Sequence, residues 1–224
     1  MVSISLKADV SEVTKSLSRM HKKQIPFAVA LGITRTAVDA KEEIVKQMKR
    51  AFNAPTPFTL RSVRFTKARK NNPQSVVFLA DKIKSGTPAG KYLMPQIHGG
   101  GRRQKAMEVA LKRRGLIGRN QYVVPGREMK LNKYGNITKA KAKKILDGLR
   151  AGGNYFVARI GKVHAVWERY GKGKRKARPI LIVLDKTPKY GVRLPFYDIA
   201  GRVVRARASQ NIEDAMRYAI ETAR

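Results

Sequence analysis

Apolar positions at Ile33, Ala37, Ala40, Ile44 and Met48 return every three or four residues, while Lys41, Glu42, Glu43, Lys46, Lys49 and Arg50 fall mostly off that stripe. This pattern predicts a long amphipathic helix over about residues 26–52. Pro26 is expected to open or kink it, because a proline inside a helix lacks an N–H and collides with the preceding turn. Alanines on the apolar face suit close packing against another helix. Upstream, Asp9-Val10-Ser11-Glu12 has the form of a capping box, and Val10, Val13, Leu17 and Met20 follow at helical spacing. Asn53-Ala54-Pro55-Thr56-Pro57 ends the long helix in extended backbone. Val63 and Phe65 then alternate with Arg64 and Thr66, and 75–79 is apolar and β-branched. With Asn71-Asn72-Pro73 between them, the two runs predict a hairpin.

Further along, Gly86-Thr87-Pro88-Ala89-Gly90 reads as a loop, and Tyr92, Leu93 and Ile97 as a short helix before Gly99-Gly100-Gly101. Residues 106–114 suit a helix stopped by Gly115. Tyr122-Val123-Val124 is a short strand closed by Pro125-Gly126, and Tyr134-Gly135-Asn136 is a turn. A basic amphipathic helix over 138–149 has Ala142, Ile145, Leu146 and Leu149 on its apolar side. Strands are expected at 155–160, 163–169 and 179–184, joined by a tight turn at Gly161-Lys162 and a longer basic loop over 171–177. A final helix runs from about 197 towards 224, with Ile199, Val203, Ile212, Ala215, Met216, Ala219 and Ile220 on its buried side and a break expected at Gln210 or Asn211. The resulting fold class is α+β: long N-terminal and C-terminal helices packed on an antiparallel β-sheet, with a small helical and loop insertion. One domain over 1–224 is expected, in three parts: helical 1–52, hairpin plus insertion 53–150, and strands plus helix 151–224.

Charge changes the picture. The 224 residues carry 49 Lys and Arg against 15 Asp and Glu, a net charge of +34. Hydrophobic residues are 42%, enough for a packed core, so this is no disordered basic tail. Such an excess works against compaction through self-repulsion and points to a polyanionic partner. Basic runs at 67–70, 102–103, 112–114, 139–144 and 172–178 are separated by ordered-looking segments. The candidate polyanion-binding residues are Lys172, Lys174, Arg175, Lys176 and Arg178 in the glycine-loosened loop, with Arg102, Arg103, Lys112, Arg113 and Arg114. Lysine contacts to phosphate position a protein without reading bases.

Catalytic chemistry finds little support. There is no cysteine, which excludes disulfides, thiolate zinc sites and a cysteine nucleophile. His21, His98 and His164 stand far apart without metal-ligand spacing. Glu42-Glu43 can pair with Lys46 and Lys49 along the helix, and Glu213-Asp214 suits the start of a helical turn. Neither provides the converging carboxylates of a two-metal nuclease. Gly99-Gly100-Gly101-Arg102-Arg103 suits a hinge beside a helix better than an anion-holding nest. Tyr155, Phe156 and Trp167 are expected in the core. No catalytic residue, metal or cofactor is assigned. The longest apolar stretch, 25–33, is too short for a membrane span, and the first residues lack the pattern of a signal peptide, so a soluble intracellular product is expected.

Several stretches in order carry a family resemblance. Pro55-Thr56-Pro57-Phe58-Thr59-Leu60-Arg61-Ser62 follows the long helix. Gly86-Thr87-Pro88-Ala89-Gly90-Lys91-Tyr92-Leu93 leads to Pro95-Gln96-Ile97-His98-Gly99-Gly100-Gly101-Arg102. Tyr134-Gly135-Asn136-Ile137-Thr138 and Pro195-Phe196-Tyr197-Asp198-Ile199-Ala200 each open a helix. This layout resembles the tail-completion and minor tail proteins (Z-like) of long-tailed bacteriophages. The resemblance implies a structural virion protein at the head-proximal end of the tail, made in the bacterial host cytoplasm and acting in tail completion and head–tail joining. It implies neighbouring tail-terminator, tail-tube or neck proteins as partners, the packaged DNA end as a further one, a homo-oligomeric ring, no membrane and no catalytic residues. Charge alone supports a second reading, a non-sequence-specific nucleic-acid-binding protein of ribosomal or nucleoid type.

Overall fold

The computed structural model describes residues 2–8, 19–82, 86–149, 153–174 and 176–222. The first helix, α1 (Arg19–Ala51), buries all five stripe residues, Ile33, Ala37, Ala40, Ile44 and Met48. It runs through Pro26 rather than starting there. The proline forfeits one intrahelical bond, but Ile25, Val29 and Ile33 bury together with Leu6 and hold this stretch in place. The capping box at 9–12 lies outside the described residues.

The last helix, α7 (Phe196–Glu221), is unbroken at Gln210 and Asn211. Asn211 serves the opposite purpose: its Nδ2 donates to Thr36 Oγ1 at 3.1 Å and Asp39 Oδ2 at 2.8 Å on α1. A side chain that would compete with its own backbone is satisfied across the helix pair. Gly32 marks a close approach, where a Cβ would lie 2.7 Å from Ile212 Cα. Ala28, Ala215 and Ala219 bury beside one another, as small residues must where two helices run close. Ile220, expected on the buried side, is 55% exposed. Glu213 and Asp214 sit well inside the helix rather than at the start of a turn. Asp214 accepts from Gln210 Nε2 at 2.9 Å and lies 3.6 Å from Arg217.

The two long helices cover a three-stranded antiparallel sheet in the order β1-β3-β2, comprising β1 (Ser3–Lys7), β2 (Val63–Phe65) and β3 (Gln74–Leu79). β2 and β3 are the expected hairpin. β1 was not foreseen, because its five residues carry too short an alternation to distinguish. α2 (Pro57–Leu60) is capped by Thr56, whose Oγ1 accepts from Thr59 N at 3.1 Å. α3 (Ala89–Tyr92) and α4 (Met94–His98) follow β3. Val2, Val63, Val77, Leu79, Leu93, Ile97, Leu194, Phe196 and Ile199 join Ala37, Ala40, Ile44 and Met48 of α1 in one core.

Contacts divide the chain into two compact units, Met1–His98 with Val192–Arg224, and Gly99–Gly191. These are not the three consecutive parts expected. The insertion is larger than a helical loop segment, because the strands over 155–184 belong to it. In this second unit β4 (Gly100–Gly101) pairs with β9 (Lys189–Tyr190). β5 (Tyr122–Pro125), β6 (Tyr155–Ile160), β7 (Val163–Tyr170) and β8 (Lys176–Leu184) form an antiparallel sheet in the order β5-β8-β7-β6. α5 (Ala106–Arg113) and α6 (Lys139–Gly148) supply Leu111 and Ile145 to a core with Val123, Tyr155, Val166, Leu181 and Val183. Thr138 caps α6 by accepting from Lys141 N at 3.2 Å. The basic loop is shorter than expected: a 3-10 turn at Lys172–Lys174 with Gly173 at φ 68° leads into β8, where Lys176 already pairs with Tyr170. The β7–β8 ladder continues past a bulge at Val166/Trp167 and takes in the end of the run.

Replacing Gly32 with Ala should destabilise the first unit by about 1–3 kcal/mol through overpacking against Ile212. Gly191→Ala, with nothing within 4 Å of its Cβ position, should change stability by less than about 0.5 kcal/mol. Denaturant midpoints of the two variants test the pair.

Candidate polyanion-binding surface

Positive charge is unevenly divided. Gly99–Gly191 carries 25 Lys and Arg against 5 Asp and Glu, whereas the rest of the chain carries 24 against 10. Where those five acids go decides which cations remain open to a ligand.

Glu108, on α5, is fully buried. Arg102 grips it with two guanidinium nitrogens at 2.8 and 2.5 Å, and the amides of Lys105 and Val123 donate to it at 2.6 and 2.9 Å. Burial pushes this carboxyl up, but the bonds from Arg102 and the two amides outweigh it and hold it below the usual carboxylate range. The knot ties the start of α5 to β5. Glu168, on β7, is met by Arg178 at 2.7 and 3.0 Å, Tyr155 Oη at 2.9 Å and Lys141 Nζ at 3.1 Å. Burial again raises the carboxyl, and the bonds from Arg178, Tyr155 and Lys141 overcome it, bringing it down to about 2. This second knot joins α6 to three strands. Asp185 lies 3.8 Å from Arg159, and Glu128 lies 3.9 Å from Arg178.

Two of the expected polyanion-binding residues are therefore structural. Arg102 is committed to Glu108, and Arg178 to Glu168 and Glu128. The buried Glu108 and the mostly enclosed Glu168 each need a cation beside them, and these two arginines supply it. The nest considered at 99–103 is closed as well: Gly100 and Gly101 pair with β9, and Glu108 takes the Lys105 amide at the start of α5. Arg103, Arg113, Lys172 and Lys176 are exposed, Lys112 is half-buried, and Arg114 is exposed with its guanidinium donating to the Leu146 carbonyl. The Lys174 side chain and Arg175 lie outside the described residues. Exposed Arg119, Arg127, Lys130, Lys133, Lys139, Lys143, Lys144, Lys162 and Lys186 of the same unit add to the surface. Most are scattered singly along the chain, and a run of charge was the only signal that reading the sequence could weigh.

Tyr155 and Trp167 are buried as expected, while Phe156 is half-buried with the Arg169 guanidinium 4.5 Å above its ring. The side chain of His21 lies outside the described positions. The His98 ring lies 6.0 Å from that of Tyr197, and His164 Nδ1 is buried without a partner. Among the described residues no group of His, Asp and Glu is placed to hold a metal, and no helix is long and apolar enough to cross a membrane.

In the first unit, three of the four stretches that carry the tail-protein resemblance meet. Thr59 Oγ1 and Tyr92 Oη are 2.8 Å apart, and the ring contact of His98 with Tyr197 joins the second stretch to the last. The Gln96 carbonyl accepts the Arg193 and Leu194 amides at 2.8 and 2.9 Å, just before α7 begins. No family model, no curated protein and no solved structure matches the chain.

Both knots generate predictions. Glu168 is depressed when folded, so it contributes stability that is fully present above its ordinary value of 4.5 and lost as pH falls towards about 2. Thermal melts across that window should show Glu168→Gln losing less stability on acidification than the parent. Glu108→Gln leaves Arg102 buried without its counter-charge and should cost about 3–5 kcal/mol. Affinity for duplex DNA, measured where the variant is still folded, should stay unchanged.

Proposed function

We propose that this chain is a structural, non-catalytic virion protein acting at the head-proximal end of a phage tail, in tail completion and head–tail joining. The Gly99–Gly191 unit presents its cations to DNA or to acidic neighbouring rings, and the other unit provides the scaffold through which copies and neighbours assemble. The partners are tail-terminator, tail-tube or neck proteins, with the packaged DNA end as a further one, and the assembly is a homo-oligomeric ring. The observation that carries the reading is the division of charge: one unit holds five cations for every acid and commits its buried acids to internal knots. The same division of charge favours a second reading, a non-sequence-specific nucleic-acid binder.

Mass spectrometry of separated tails, heads and full particles of the source phage tests the proposal. The chain should appear in purified tails. Its absence from every particle fraction would sink the virion reading and promote the nucleic-acid binder. Replacing Lys112, Lys143, Lys144 and Lys172 with Ser should flatten the salt dependence of duplex DNA binding by about 0.9 log per lost phosphate contact. The same number of changes at Lys49, Arg50, Lys67 and Lys70 should leave the slope nearly unaltered in a titration from 50 to 200 mM salt.

A further inference from the structure

In the first unit, large apolar side chains lie open where the short helices meet the start of α7. Phe58 is 45% exposed, Tyr92 and Met94 38% each, and Tyr197 41%. They lie on α2, α3, α4 and the first turn of α7, and two contacts tie these elements together. Phe58 adjoins Thr59, which bonds to Tyr92, and Met94 and His98 stand one helical turn apart on α4. His98 then meets Tyr197. Beneath the row Leu93, Ile97 and Phe196 are buried in the core, so the open side chains stand on a fixed base. Exposed Arg61, Lys91 and Arg193, with one exposed acid, Asp198, flank the row in the chain; Arg193 donates to the Ala51 carbonyl, and none of the three cations has a carboxylate partner among the described residues.

We propose that this row is a docking surface for an acidic protein, one that presents an apolar or aromatic side chain ringed by carboxylates. An aromatic and methionine centre inside an arginine-bearing rim is the anatomy of a protein interface, and the sign of the rim selects the partner. A second copy of this chain is disfavoured, since a self-complementary contact would set the rim cations against one another. Single-stranded nucleic acid needs open ring faces in succession. Here the Tyr92 hydroxyl is tied to Thr59, and Tyr197 stands edge-on to Phe196 at 77° and tilted at 42° to His98. The inference does not depend on the virion reading.

The absence of cysteine lets a single label report each surface. A polarity-sensitive dye is placed on the full chain at exposed Thr87→Cys, just before α3, or at Lys172→Cys in the other unit. The probes are a random Glu–Tyr copolymer, poly-Glu of equal length and a single-stranded DNA, in about 0.5 M salt, where screening shortens to about 4 Å. The copolymer should saturate the Thr87→Cys signal, with poly-Glu at least tenfold weaker. The combined Phe58→Ser, Met94→Ser and Tyr197→Ser variant should lose about tenfold or more in copolymer affinity while keeping its melting temperature. If that variant unfolds, Phe58→Ser and Tyr197→Ser are read singly for the same loss. Equal binding of copolymer and poly-Glu, or no loss in the variants, overturns the proposal. A Thr87→Cys response to DNA would make the row a nucleic-acid platform instead. Self-association of the parent that the variants abolish would make it a contact between copies.

Discussion

The rest of the molecule depends on the close approach of α1 and α7 at Gly32. Only a residue without a Cβ lets Ile212 come so near, and the nearby alanines and the Asn211 bonds to Thr36 and Asp39 extend that contact along the pair. The pair joins the N-terminal and C-terminal stretches of the chain. Both helices are then occupied with each other and with the three-stranded sheet. The intervening Gly99–Gly191 must bury its own apolar faces, and it does so with α5, α6 and a separate four-stranded sheet.

That separate core has an electrostatic problem, because its charges repel one another across a small volume. Two of its five acids are placed where they hold elements together. Glu108 joins the start of α5 to β5, and Glu168 joins α6 to β6, β7 and β8. Each knot is a carboxylate so well supplied with donors that it stays ionised despite burial. The remaining cations have little internal compensation, so a bound polyanion would relieve repulsion and stabilise the unit as it binds. One unit gathers most of the uncompensated cations, and the other carries an open apolar row on a fixed base.

Local periodicity already specified most elements. The α1 stripe buried as expected, Thr138 capped the helix it was expected to open, and Gly115 ended α5 in a left-handed conformation at φ 67°. Glycine, proline and apolar spacing act through steric rules that reach only a few residues, and those rules are readable along the chain. The long N-terminal and C-terminal helices on an antiparallel sheet were legible for the same reason. The expected break at Asn211 failed because its partners lie on a helix some 170 residues away, at separations of 175 and 172.

By itself, then, the sequence determined the α+β class, the two long helices, the positions of the main strands and a net charge of +34. Tertiary structure decided which sheet each strand joined, which unit gathered the charge, and which cations were left open. Arg102 and Arg178 looked like their basic neighbours until buried carboxylates claimed them. The physical reason is range: backbone and side-chain sterics act over a turn or two, while burial and ion pairing are settled among residues that only folding brings within a few ångströms.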